Sequence, residues 1–176
     1  MSASVCFRAK VPATAIGGTA ITTVETQFKD YAGTNPLKVY VPGSTRLDGQ
    51  MFKIIVAGRA IAGSTYNFTL NLAYGISATY SSNTTVATSG TVAIATTSCP
   101  FLLTAEFVWD SVSQKLFGVS GNGFWGITPA IYTKAITTAV TSVDLTTEGL
   151  GFTLTGTFGT SHASNSAIIT QFDIIV

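Results

Sequence analysis

Near the end of the 176-residue chain, "GTSHASNS" at 159–166 sets Ser161, the single histidine (His162), Ser164 and Asn165 side by side, and Asp173 follows. Serine, histidine and aspartate are the residue types of nucleophilic hydrolysis, in which a base takes the hydroxyl proton and a third group orients the base. The spacing argues against that chemistry. Adjacent Ser161 and His162 on a loop tip lack a fixed mutual geometry. Asp173 alternates with Phe172 and Ile174, which puts it on the outward face of a strand. The strained G-x-S-x-G elbow is missing too, because "GVSGN" at 118–122 lacks its last glycine. Small polar residues between two strong strand patterns form turns, so the segment is expected to connect a hairpin.

Other constellations fare no better. "GNGFWG" at 121–126 formally matches G-x-G-x-x-G. A dinucleotide site needs that motif to open a helix whose N-terminus holds the pyrophosphate, whereas here "ITPA" follows. Glycines and aromatics of a β-loop are expected instead. Phe124, Trp125 and Tyr132 leave two readings open: a stacking surface for a sugar or a protein partner, or packing at one end of a sandwich. Glu106 and Asp110 flank Trp109, and paired carboxylates can act on a glycosidic bond. Asp110, however, opens a turn, and Glu106 alternates with an inward-facing set. One histidine and two distant cysteines cannot supply a zinc set, and no Asp-rich calcium loop is present. No catalytic residue, cofactor or metal site is assigned, and no enzymatic activity is expected. Cys6 and Cys99 do not make a disulfide framework and read as buried free thiols.

The elements around these residues are strands. In "YNFTLNLAY", Tyr66, Phe68, Leu70, Leu72 and Tyr74 face one way; in "FTLTGTF", Phe152, Leu154 and Phe158 oppose Thr153, Thr155 and Thr157. Strict period-two alternation marks a half-buried strand. Weaker alternation places Leu37, Val39 and Val41 together, then Phe52, Ile54 and Val56, then Leu103, Ala105, Phe107 and Trp109. The final segment is expected to put Ile168, Phe172, Ile174 and Val176 on one face. Turn signals at 42–49, 62–65, 109–114 and 159–166 separate the runs. "TTVETQFKDY" at 22–31 is ambiguous: Thr22 with Glu25 resembles a capping box, with Val24, Phe28 and Tyr31 on a helical face, yet the same residues suit a strand. Roughly eight short strands predict an all-β fold, a two-sheet antiparallel β-sandwich of jelly-roll type. It would occupy residues 21–176, with residues 1–20 as an extended N-terminal arm.

Composition narrows the class of function. The chain is 46% hydrophobic and only 10% charged, with a net charge of +1, which excludes a disordered chain and argues against nucleic acid as a partner. Apolar runs such as "FKIIVAGRAIAG" are broken by Lys53, Gly58 and Arg59 before a membrane span accumulates. The start shows no secretory h-region, so the chain is expected to be made and to stay in a cytoplasm. Residues 1–60 hold seven basic residues against three acidic ones, and the remainder two against five. That asymmetry would mark a docking face, and lysines scattered over strand faces explain it as well. A surface poor in charge and rich in Ser and Thr is easily desolvated, which suits packing against neighbours.

The stretches "LKVYVPGSTRLDGQMFKIIVAGRA", "AEFVWDSVSQKLFG" and "AIITQFDIIV" resemble the small jelly-roll structural proteins of tailed bacteriophages that decorate or cement a capsid. The likeness runs from residue 37 to 176 and lies in strand-and-turn pattern. It implies a non-enzymatic virion protein on the capsid surface, made in the host cytoplasm. Such a protein is often a homotrimer and binds between subunits of the major capsid protein. Candidate partner contacts are Arg8 and Lys10 on the arm, with Asn122, Phe124 and Trp125. The alternative is a carbohydrate-binding jelly roll of a tail fibre or spike, for which a glycan is the partner.

Overall fold

A computed structural model of the protein describes residues 6–9, 16–18, 25–41, 49–64, 66–77, 79–94, 98–127, 130–142 and 150–176. Among these residues the chain forms fifteen strands and one 3-10 turn at Tyr80–Ser82. The strands are β1 (Cys6–Arg8), β2 (Ile16–Gly18), β3 (Thr26–Gln27), β4 (Lys38–Val41), β5 (Met51–Ile61) and β6 (Tyr66–Tyr74). There follow β7 (Thr84–Thr88), β8 (Val92–Ile94), β9 (Cys99–Asp110), β10 (Lys115–Ile127) and β11 (Ala130–Ala135). The last are β12 (Thr137–Thr138), β13 (Thr141–Ser142), β14 (Leu150–Phe158) and β15 (His162–Ile175). Eight of them, β5, β6, β7, β9, β10, β11, β14 and β15, have five residues or more.

They build the two-sheet antiparallel sandwich of jelly-roll type that the alternation predicts. The first sheet runs β1-β15-β5-β9-β10-β11, with β2 also on β15 and β13 on β10. The second runs β12-β7-β6-β14-β3, with β4 beside β3 on β14 and β8 on β6. The inward residues are those of the sequence pattern. Phe52, Ile54 and Val56 from β5, Phe68, Leu70 and Leu72 from β6, and Leu103, Ala105 and Phe107 from β9 are all buried. Two groups of aromatics tie the sheets together. Phe68 lies 4.9 Å from Phe158 in its own sheet and 6.2 Å, edge-on, from Trp125 in the other. Phe152 reaches Phe52 at 6.1 Å and Phe107 at 6.2 Å. Burying each such ring contributes on the order of 2 kcal/mol to holding the two sheets together.

Several expectations need correction. The 159–161 segment is not a hairpin turn: β14 pairs with β6 and β15 with β5, so the chain crosses from one sheet to the other there. Asn165, almost fully buried, pins the crossing by accepting from the Gly63 N–H at 3.0 Å and donating to Thr160 O at 2.7 Å. A hairpin and a sheet crossing use the same small polar residues, and only the pairing partners separate them. The common face proposed for the last strand breaks at a bulge between Ile169 and Gln171. Ile169 is therefore in the core with Phe172 and Ile174, whereas Ile168 is half-buried.

The described part of 22–31 is extended. Thr26 and Gln27 pair with β14, and Lys29 bridges Pro36. Thr153 and Thr155 point away from Phe152 and Leu154 but are buried as well. Asn83 donates to Thr153 Oγ1 at 3.3 Å, and the Thr155 hydroxyl donates to Glu25, which also accepts from Asn71 at 2.7 Å. Both cysteines are free thiols, Cys99 buried but Cys6 exposed on β1. β1 pairs with the end of β15, and the Ala9 side chain is buried in the core. Lys10, Thr22 to Val24 and the 42–48 turn lie outside the described residues.

Candidate functional site

The fold takes the Ser-His-Asp set apart. His162 opens β15 and Asp173 lies near its far end, beyond two register shifts, so the strand holds the two apart. His162 Nδ1 accepts the Ser164 backbone N–H at 3.1 Å, so that nitrogen serves the crossing itself. Asp173 does lie on the outward face of β15, yet it is only 1% exposed, because Arg8 covers it.

G-x-G-x-x-G falls within β10, a strand and not the expected loop. Its glycines answer to packing. A Cβ on Gly121 would lie 2.6 Å from Ile136 Cβ, and one on Gly123 would lie 2.7 Å from Leu103 Cδ2. Alternation along β10 also divides the aromatic candidates. Asn122 and Phe124 point outward, Phe124 being 44% exposed, but Trp125 is fully buried against Phe68 and Phe101. Trp125 is thus a core residue and offers no surface to a partner.

The carboxylate pair is already committed. Glu106 accepts from the Ser120 hydroxyl at 2.6 Å and from Lys53 at 3.2 Å. The hydroxyl first and the ammonium second hold its pKa below the ordinary glutamate range. Asp110 closes the β9–β10 turn, accepting from Ser113 Oγ at 2.6 Å and from the Val112 N–H at 2.9 Å. Among the described residues no group of three or more His, Cys, Asp and Glu side chains is placed to hold a metal ion. No helix among them is long and apolar enough to cross a membrane.

What the fold does assemble is a cleft of about 470 Å³ where the edges of the two sheets meet, between β1 and β4. Arg8, Asp30, Asn35, Lys38 and Tyr40 line it, with Ala9, Pro36 and Leu37 as its apolar part. β4 alternates exposed and buried residues, so Leu37, Val39 and Val41 anchor the strand in the core. Lys38 and Tyr40 are thereby turned outward, with Tyr40 39% exposed. The other wall is the turn before β4. Asp30 Oδ1 accepts from the backbone N–H groups of Thr34 at 3.2 Å and Asn35 at 3.3 Å, and Oδ2 accepts from Asn35 Nδ2 at 3.1 Å. Gly33, at φ 72°, supplies the left-handed residue that closes this turn. The Asn35 side chain is the main cause, ahead of the backbone donors, of an Asp30 pKa below the ordinary aspartate range.

Arg8 enters from the opposite side. Its Nε and Nη2 donate to the two carboxylate oxygens of Asp173 at 2.9 and 3.1 Å, and Gln171 Nε2 donates to Oδ2 at 2.7 Å. This fork-to-fork contact raises the Arg8 pKa and fixes the plane of the guanidinium, while the Arg8 side chain stays 64% exposed. Of the candidate contact residues that the structure describes, Arg8 lines the cleft and Asn122, Phe124 and Trp125 do not. Asn122 and Phe124 lie on the outer face of β10, on the far side of the first sheet's order from β1. Asp30, Asn35, Lys38 and Tyr40 were missed, although signals existed. "DYAGTNP" has the Asp, Gly and Asn-Pro of a turn, and the inward set of "LKVYV" leaves Lys38 and Tyr40 outward.

No protein-family model matches the chain, and no curated protein matches it in sequence. Solved structures of similar shape include a metal-free form of lectin I-B4 from Griffonia simplicifolia, at 11% identity and a TM-score of 0.34, with 98% of each chain covered. The winged bean acidic lectin, in complex with methyl-alpha-D-galactose, is 10% identical with a TM-score of 0.36, again over 98% of each chain. A CBM2 module of the evolved Dit of Lactobacillus casei phage J-1 is 8% identical with a TM-score of 0.28, covering 99% of this chain and 97% of that one. Identity at this level carries no ligand from those proteins to this one.

Proposed function

We propose that the protein is a non-enzymatic carbohydrate-binding β-sandwich and that the β1–β4 cleft is its sugar site. The observation that carries this is the partly exposed Tyr40 ring beside polar groups already held in place by their own hydrogen bonds. An aromatic face suits the C–H face of a pyranose, and fixed amide and guanidinium donors suit its hydroxyls. Preorganisation lowers the entropy lost on binding, which matters for a small, well-hydrated ligand. The test is a glycan array followed by titration of the best binder with wild type and Tyr40→Ala. The variant is expected to keep its melting temperature and lose about tenfold in affinity, or about 1.4 kcal/mol. Unchanged affinity in Tyr40→Ala would remove the cleft from consideration.

A second reading follows from the outer face of the first sheet. Met51, Leu102, Phe117 and Phe124 are all exposed there, and Phe124 faces Leu102 directly across the strand pair. Such a face suits the contact surface of a virion component set against the major capsid protein, with the homotrimer that the phage resemblance implies. Light scattering tests it: a compact trimer that Phe124→Asp dissociates supports this reading, and a monomer removes it.

A further inference from the structure

The cleft has an asymmetry between engaged acceptors and exposed donors that narrows its ligand. Both acidic groups beside it have their oxygens engaged. Asp30 is occupied by Thr34 and Asn35, and Asp173, its side chain only 2% exposed, by Arg8 and Gln171. The basic groups are turned the other way. Lys38 is exposed at the cleft wall, and Arg8 is mostly exposed although two of its N–H groups are spent on Asp173. A guanidinium carries five N–H donors, so this pairing orients Arg8 without exhausting it. Lys29, exposed and bridged through its backbone to Pro36, adds a third positive charge on the same turn. A ligand entering the cleft thus meets the exposed cationic donors of Arg8 and Lys38 beside the Tyr40 ring, while the carboxylate acceptors next to them are already engaged.

Resting on the sugar-binding reading, we infer that the ligand is an acidic carbohydrate, a uronate-type glycan whose carboxylate lies between Arg8 and Lys38 while a sugar face packs on Tyr40. Arg8 is the specific reader, since its planar fork matches a carboxylate, and Lys38 supplies a mobile point charge. Asp173 is a positioning residue that holds Arg8 in plane.

The probes are an oligogalacturonate and its methyl-esterified counterpart, which differ in charge and share their backbone. Isothermal titration of the full chain is expected to show the acid form binding at least tenfold more tightly, with that preference shrinking as salt rises from 50 to about 500 mM. Lys38→Gln is expected to weaken the acid form about fivefold more than it weakens the ester, with Lys38→Arg restoring the preference. Lys38 is exposed, so neither variant threatens the fold; Arg8 is left intact because its loss would strand a buried Asp173. Equal binding of acid and ester, lost in Tyr40→Ala, would overturn the acidic specificity and leave the sugar site standing. Acid binding indifferent to Lys38→Gln would overturn the inference, and binding of neither probe nor any arrayed glycan would overturn both.

Discussion

Truncating Phe68 to alanine tests the closure of the sandwich, on which the cleft depends. Phe68 is fully buried on β6 and touches aromatic rings of both sheets, Phe158 at 4.9 Å, Trp125 at 6.2 Å and Phe101 at 6.4 Å. Its removal forfeits the transfer free energy of the ring and leaves a cavity walled by three rigid side chains that cannot collapse to fill it. Together these cost about 3–5 kcal/mol. At roughly 2–4 °C per kcal/mol for a domain of this size, the midpoint should fall by roughly 6–20 °C. Urea unfolding followed by tryptophan fluorescence is the assay, because buried Trp125 reports on the same cluster. The control is Phe124→Ala, the same chemistry on an exposed face, expected to change stability by less than about 1 kcal/mol. A loss below about 1 kcal/mol for Phe68→Ala, or equal losses for the two variants, would refute this packing.

A charge at Phe172, fully buried on β15, is expected to prevent folding, so Phe172→Asp should yield insoluble or unfolded protein by circular dichroism. A wild-type melting curve would show that the register past the bulge is wrong. Cleft binding should also depend on acid pH through Asp30, whose pKa is held below the ordinary value. For a lowered carboxylate the stabilisation is fully present above the unfolded pKa of about 3.9 and is lost as pH falls through the lower folded value. Affinity for a neutral glycan ligand is therefore expected to be flat from pH 7 to about pH 4 and to decline below that. In Asp30→Asn it should be weaker throughout, without the acid limb; a decline centred near pH 6 would point to another group.

How much of this was legible depended on whether the cause was local. Alternation in "YNFTLNLAY" and "LKVYV" identified the inward residues of β6 and β4 because period two is a property of a single strand. The Asp110 turn was equally readable, since its hydrogen bonds close within three residues. Trp125 and Phe124 were harder. They are neighbours in sequence with similar side chains, and only the side of the sheet that received a partner decided which became core. The bulge after Ile169 reversed the facing of part of β15 for the same reason, as register is set by the strand alongside. The cleft lay furthest from view. Arg8 meets Asp173 across 165 residues, and it faces Lys38 and Tyr40 because an edge strand of one sheet ends beside an edge strand of the other. By itself the sequence determined an all-β chain with a defined set of inward residues, since patterning and turn chemistry act within a few residues. The tertiary structure alone decided which edges meet, and so where Arg8, Lys38 and Tyr40 converge, because that convergence depends on contacts between segments far apart in the chain.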